Sequence, residues 1–131
     1  MQLDKFTQKS RDAIQAAISL AAERKNAQVA PIHLLAALLR AEDSLAQQII
    51  DRIGVTVDVD TPLRALPTLG TVAEPTTDPD VLAVLRGAEH EAREAGDTFI
   101  TVEHLLLSLA GHNSSAGEAL RSAGATTRSA A

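Results

Sequence analysis

Apolar positions recur along this chain at the three- and four-residue spacing of amphipathic helices. Ala13, Ile14, Ala17, Ile18 and Ala21 form one stripe, with Thr7 as a suitable cap ahead of it, which predicts a helix from residue 7 to about residue 25. Residues 26–30 read as a connector. Pro31 suits a first helical position, where its missing N–H costs nothing. The helix it opens, residues 32–39, is apolar nearly all round and is expected to be buried at the centre. Asp43 and Ser44 can cap a third helix over residues 45–53, and Gly54 stands where a left-handed stop is wanted. A short, weak helix is expected near residues 61–65.

Periodicity then disappears over residues 66–79, which hold Pro67, Gly70, Pro75 and Pro79 and read as a linker. Asp78-Pro79 restarts the helical pattern, a capping carboxylate followed by proline. Val81, Val84, Leu85, Ala88 and Ala92 make the next stripe, residues 96–100 a second connector, and Thr101 a cap for a second apolar helix from Val102 to Leu109. Ser114 or Ser115 caps a last helix ending at Gly124. The second half repeats the first. A shift of 71 residues places Ala17 on Ala88, Ala21 on Ala92, Glu23 on Glu94 and Val29 on Ile100; it also places His33-Leu34-Leu35 on His104-Leu105-Leu106 and Leu38 on Leu109. After one deletion, a shift of 70 places Ala46 on Ala116, Ile50 on Leu120, Gly54 on Gly124 and Thr56 on Thr126. A lone unit would leave its apolar face uncovered, whereas two can bury their faces against each other. The expected fold is therefore all-α: two tandem helical repeats of about four helices each, the last truncated, packed as a pseudo-twofold bundle. Residues 1–131 form one domain, with repeat one at 1–65, the linker at 66–79 and repeat two at 80–131.

Composition narrows the function. The chain of 131 residues is 45% hydrophobic but only 2% aromatic, so Ala and Leu must carry the core, in closely packed helices. Without cysteine there are no disulfides, thiol chemistry or Cys-based metal sites. The charged start resembles no signal peptide, and no apolar run reaches membrane-spanning length, so a cytoplasmic protein is expected. Net charge is −5. Residues 1–65 hold as many Lys and Arg as Asp and Glu, so the acidic excess falls wholly in residues 66–131. This argues against a nucleic-acid surface and fits either a solvated acidic face or a partner of positive charge.

Two copies of a capped helix, a connector and then x-His-Leu-Leu resemble the double Clp repeat of the Clp N-terminal domain family. The opening Leu3-Asp4-Lys5-Phe6-Thr7-Gln8-Lys9-Ser10 is similar to the ClpB disaggregase type. So are Leu66-Pro67, Gly96-Asp97-Thr98-Phe99-Ile100 and Ala123-Gly124-Ala125-Thr126-Thr127. The resemblance covers nearly the whole chain; ClpC and ClpA types match less well at the start. It implies eight helices, no enzymatic activity and no cofactor. It implies a role in engaging unfolded or aggregated polypeptide for an AAA+ ring, through a shallow groove whose polar positions match Thr7, Asp97 and Glu103. The ring would lie in the same chain or act in trans, and no nucleic acid or membrane partner is implied. In ClpC relatives an acidic residue before each His-Leu-Leu receives a phosphorylated arginine; here the second copy has Glu103 and the first has Ile32. Gly87, Glu91 and His104 stand at positions that are apolar in the groove of some ClpB relatives, so a more polar groove is expected. Residues 57–65 look shorter than usual, and a last helix would normally follow Thr127. The alternative function is a free-standing relative that regulates the ring or sequesters peptides and degradation tags.

No reactive constellation competes with a binding role. The histidines, at 33, 90, 104 and 112, have no metal-site spacing. His33 and His104 each stand at the start of a buried helix, where a neutral imidazole can satisfy loose backbone groups. The phosphate-cradling G-x-x-x-x-G-K-[ST] pattern and the G-x-S-x-G elbow are both absent. Glu103, in the first turn of its helix, offers either dipole compensation or a carboxylate to a bound peptide. Asp97 can close a turn or contact a ligand, and Thr7 is a cap first.

Overall fold

The computed structural model describes residues 3–71 and 74–125. Seven helices lie among them: α1 (Gln8–Glu23), α2 (Pro31–Arg40), α3 (Leu45–Ile53), α4 (Asp60–Arg64), α5 (Pro79–Glu94), α6 (Val102–Gly111) and α7 (Ser115–Ser122). The all-α expectation holds. The helix expected after Thr127 lies outside the described residues.

Local chemistry sets the boundaries. Thr7, Ser44, Asp78 and Ser114 each cap a helix by accepting a backbone N–H, from Ser10, Gln47, Asp80 and Gly117 respectively. Asp43 is not a cap, contrary to one of the two sequence options. It takes the left-handed conformation (φ +53°) that turns the chain from α2 into Ser44, a conformation Asp tolerates better than most residues. α1 ends close to where the sequence places it, because Lys25 is left-handed at φ +58° and stops the helix behind Arg24.

α2 is buried from Pro31 to Leu38, and α6 buries Val102, Leu105, Leu106 and Leu109. These two helices cross at the centre. α1 lies on α2 through the small side chains Ala13, Ala17 and Ala21, which let the backbones approach closely; α5 does the same on α6 through Val84, Ala88 and Ala92. Contacts between the halves come in matched pairs: α2 with α7 and α3 with α6, α1 with α6 and α2 with α5. Such pairing is what a pseudo-twofold axis through the α2–α6 crossing produces.

The linker is more ordered than its composition suggests. Gln28–Val29 (β1) and Thr76–Thr77 (β2) form a two-stranded parallel ladder, with Val29 opposite Thr77. The counterpart across the pseudo-axis is a single parallel bridge between Phe6 and Ile100. The chain entering each long helix thus pairs with the connector of the other repeat. The Thr7 N–H donates to the Ile100 carbonyl at 2.9 Å, as the Asp78 N–H donates to the Val29 carbonyl at 3.0 Å. Neither repeat can place its first helix without the other, which interlocks the two units.

Candidate functional site

The two histidines build the site. In α2 and α6 alike, His is the third helical residue, and its Nδ1 accepts the backbone N–H of the residue before the helix. Ala30 donates to His33 at 2.8 Å and Thr101 to His104 at 2.9 Å. This is the reaching-back half of a capping box, with imidazole in place of the usual Glu or Gln. With Nδ1 an acceptor, the proton sits on Nε2, which donates at 2.8 Å to Asn26 Oδ1 in the first copy and at 2.9 Å to Asp97 Oδ2 in the second. Burial of the His33 ring, and after it the nearby Arg24 charge, lowers its pKa from 6.5 to about 4, so the neutral form is the one in place at pH 7.

The second copy is the open one. Asp97 keeps one carboxylate oxygen on His104 and is half exposed, and residues 93–99 are exposed throughout. Glu103 lies in the first turn of α6, exposed and without a side-chain partner among the described residues. Thr7 reaches this edge because its backbone is fastened to Ile100. Its hydroxyl is already engaged, capping the Ser10 N–H and lying 2.9 Å from Ser10 Oγ. The structure therefore brings Thr7 onto the connector that carries Asp97 and leads into Glu103.

Sequence reasoning missed Phe99. The chain has two phenylalanines and no other aromatic residue. Phe6 is core at 2% exposure, while Phe99, two residues from Asp97, is 56% exposed. The signal was available in the connector itself, where Phe99 follows Asp97-Thr98 and precedes the inward-facing Ile100. An exposed aromatic ring on a connector that also carries a carboxylate can take an apolar side chain, or the stem and charge of a basic one.

The other expected groove positions behave differently. His104 is buried beneath Asp97 and serves the cap, so it does not line the surface. Gly87 faces Ser108, whose Oγ would lie 2.3 Å from a Cβ added there; that hydroxyl donates to the Val84 carbonyl at 2.7 Å. Here α5 and α6 are in close contact. The first copy is closed: Ile32, opposite Glu103 in the repeat, is fully buried, and Asn26 is 3% exposed.

A separate open groove of about 610 Å³ runs between α1 and the α2–α3 turn, over Ala16, Leu20, Ala41 and Leu45. No helix among the described residues is long and apolar enough to cross a membrane, and no group of three or more His, Cys, Asp or Glu is placed to hold a metal ion there.

Comparison with known proteins agrees with this architecture. Residues 5–123 match the Clp repeat (R) N-terminal domain family. The chaperone protein ClpB of Propionibacterium freudenreichii subsp. shermanii is 37% identical over 134 aligned residues, which cover 97% of this chain and 16% of that protein. The chain thus spans about a sixth of such relatives. Among solved structures, the Hsp104 N-terminal domain from Candida albicans superimposes with a TM-score of 0.82 at 21% identity, covering 97% of this chain and 87% of that one. The N-terminal domain of the chaperone ClpD from Arabidopsis thaliana gives 0.69 at 18% identity, covering 98% and 94%. At those identities the likeness is one of fold. With two interlocked His-capped units and a family match over nearly its whole length, this chain belongs to the Clp repeat N-terminal domains.

Proposed function

We propose that the chain is a non-catalytic binding module that engages unfolded or aggregated polypeptide for a ClpB-like AAA+ ring in the cytoplasm. The observation that carries the reading is the open second-copy edge. Thr7, Asp97 and Glu103 supply polar positions at the connector that carries the exposed ring of Phe99, while the first-copy counterparts of Asp97 and Glu103, Asn26 and Ile32, are buried. Clients are held weakly and with broad sequence tolerance, because only Thr7 and one Asp97 oxygen are fixed in advance. The ClpB relatives support the ring partner, since this chain matches about a sixth of their length and the remainder is available for other domains.

The test is a titration of the isotope-labelled chain with a reduced, alkylated and permanently unfolded model protein. Backbone amide signals of Thr7, Asp97, Phe99 and Glu103 are expected to shift in fast exchange. If those signals stay in place at saturating client, the proposed function fails.

A further inference from the structure

The open groove between α1 and the α2–α3 turn, about 610 Å³ in volume, is lined by none of Thr7, Asp97, Phe99 and Glu103, so it is a surface apart from the proposed client edge. Its floor is made of small side chains, Ala13 and Ala16 of α1 with Ala37 and Ala41 at the end of α2, and Leu20 and Leu45 flank it. Ala16, Ala41 and Leu45 are exposed. The described ends of the chain lie elsewhere. Leu3 sits with Ile14 and Ile18 on the opposite side of α1, and Gly124 beside Val55, past the far end of α3.

The second repeat does not keep this groove. There Ser108 replaces Ala37 and donates to the Val84 carbonyl at 2.7 Å, against Gly87 in the place of Ala16. The largely buried His112 replaces Ala41 and lies 4.0 Å from Asp80, which stands in the place of Lys9. Glu91 and Ser115 replace Leu20 and Leu45. The apolar groove thus comes from the side chains of one copy and not from the repeat fold. Charge is arranged around it as well. Asp12, Glu23, Glu42 and Asp43 lie along the rim, all exposed, and none makes an ion pair among the described residues. The rim bases do not balance them: Arg40 is held by Asp60 at 2.6 Å, which leaves Lys9.

We propose that this groove takes an amphipathic helix of another protein, which buries a face of alanine and leucine and sets lysine or arginine against the rim carboxylates. The small floor lets a helix backbone come close, as the alanines of α1 do on α2. The walls favour a helix over an extended segment, because α1 and α2 pair most of their backbone groups internally and have few left for a strand. A second copy of this chain is a poor occupant. Its exposed leucine on a long helix, Leu82 of α5, is accompanied by Asp80, Glu89, Glu91 and Glu94 against Arg86 and Arg93, the wrong balance for an acidic rim.

The probe is a capped peptide, Lys-Ala-Leu-Lys-Arg-Leu-Ala-Lys-Ala-Leu-Arg-Lys-Leu-Ala-Lys, whose leucines fall on one helical face. Titration of the isotope-labelled full chain compares it with a form carrying Glu for every Lys and Arg, and with a form carrying Pro for the Ala before its third Leu. The parent is expected to shift the methyl signals of Ala16, Leu20, Ala41 and Leu45. Both altered forms should bind about tenfold more weakly or worse. Joint Glu23→Lys and Glu42→Lys replacement, at exposed positions, should leave thermal unfolding in place and erase the preference for the basic peptide. Ala16→Gln should fill the groove and weaken parent binding about tenfold. Absence of the methyl shifts at millimolar parent peptide overturns the proposal, as do shifts confined to Thr7, Asp97, Phe99 and Glu103. Equal binding of the acidic form overturns it by making the groove a general apolar surface, and equal binding of the Pro form by making it a site for extended polypeptide. An unchanged preference in the double replacement, or unchanged binding in Ala16→Gln, overturns it too. The proposed function does not depend on this outcome, since it stands or falls on what the unfolded protein does at the Phe99 edge.

Discussion

Acidifying the protein from pH 7 to 4 tests the His33 cap of α2 in a way that can be worked from the structure. The ring is fully buried; Nδ1 accepts from Ala30 and Nε2 donates to Asn26. A second proton would have to go on Nδ1, setting two donors against each other at the start of the central helix. The folded-state pKa is about 4 against 6.5 in the unfolded chain. Between those values the unfolded chain holds more protons, so the contribution of His33 is complete above pH 6.5 and is lost as pH falls towards 4. The loss is about 1.4 kcal/mol per pH unit at its steepest and about 3 kcal/mol in total. The comparison protein is His33→Gln, because Gln at this position can still reach back to the Ala30 N–H but does not titrate. Urea unfolding followed by circular dichroism at half-unit steps gives both stability curves, and their difference removes the carboxylates common to the two. The wild-type advantage should shrink by about 3 kcal/mol over this range. A constant gap from pH 7 to 4 would refute the buried, proton-free cap.

Five further substitutions separate fold from function. Phe6→Ala should cost about 3–5 kcal/mol in urea unfolding, as for a fully buried aromatic. Phe99→Ala should stay within about 0.5 kcal/mol of wild type yet weaken binding of an unfolded client about fivefold or more, the loss expected of an aromatic anchor. Gly117→Ala should destabilise by about 1–3 kcal/mol, because its Cβ would fall 1.9 Å from the His112 carbonyl and 2.8 Å from that of Leu109, backbone atoms that cannot rotate away. Gly96→Ala should cost about 1 kcal/mol, while Lys25→Gly should gain up to about that much, since both positions are left-handed and open space surrounds Gly96; thermal unfolding of the pair checks the sign of each.

The candidate site was legible only in part. Asp97, Glu103 and Thr7 came from resemblance, and the structure adds what fastens Thr7 to the connector between the other two: Ile100 accepts the Thr7 N–H from the far end of the chain. Phe99 went unnoticed because an isolated apolar residue in a connector has no periodicity to show which way it faces. The left-handed turns at Lys25 and Asp43 had no sequence signal for a related reason. Both residues are left-handed without being glycine, so the usual stop signal is lacking.

The sequence alone determined the two-unit plan. Helical spacing of Ala and Leu, caps at Thr7, Ser44, Asp78 and Ser114, and the left-handed stop at Gly54 are interactions between near neighbours, so each can be read from a few residues. The repeat also foretold that two apolar faces must meet. What it left undecided was everything set by contacts about 40 to 90 residues apart. Linker residues 67–69 cover the first turn and Thr76–Thr77 pair with β1, although their composition reads as structureless, because exposed backbone groups take whatever partner the packed helices bring near. The second turn, nearly identical in local sequence logic, stays bare among the described residues. The cover over the first turn is therefore a property of tertiary placement, because Pro67 reaches Asn26 from 41 residues away, whereas Ile32 in place of Glu103 and Asn26 in place of Asp97 could be read from the sequence.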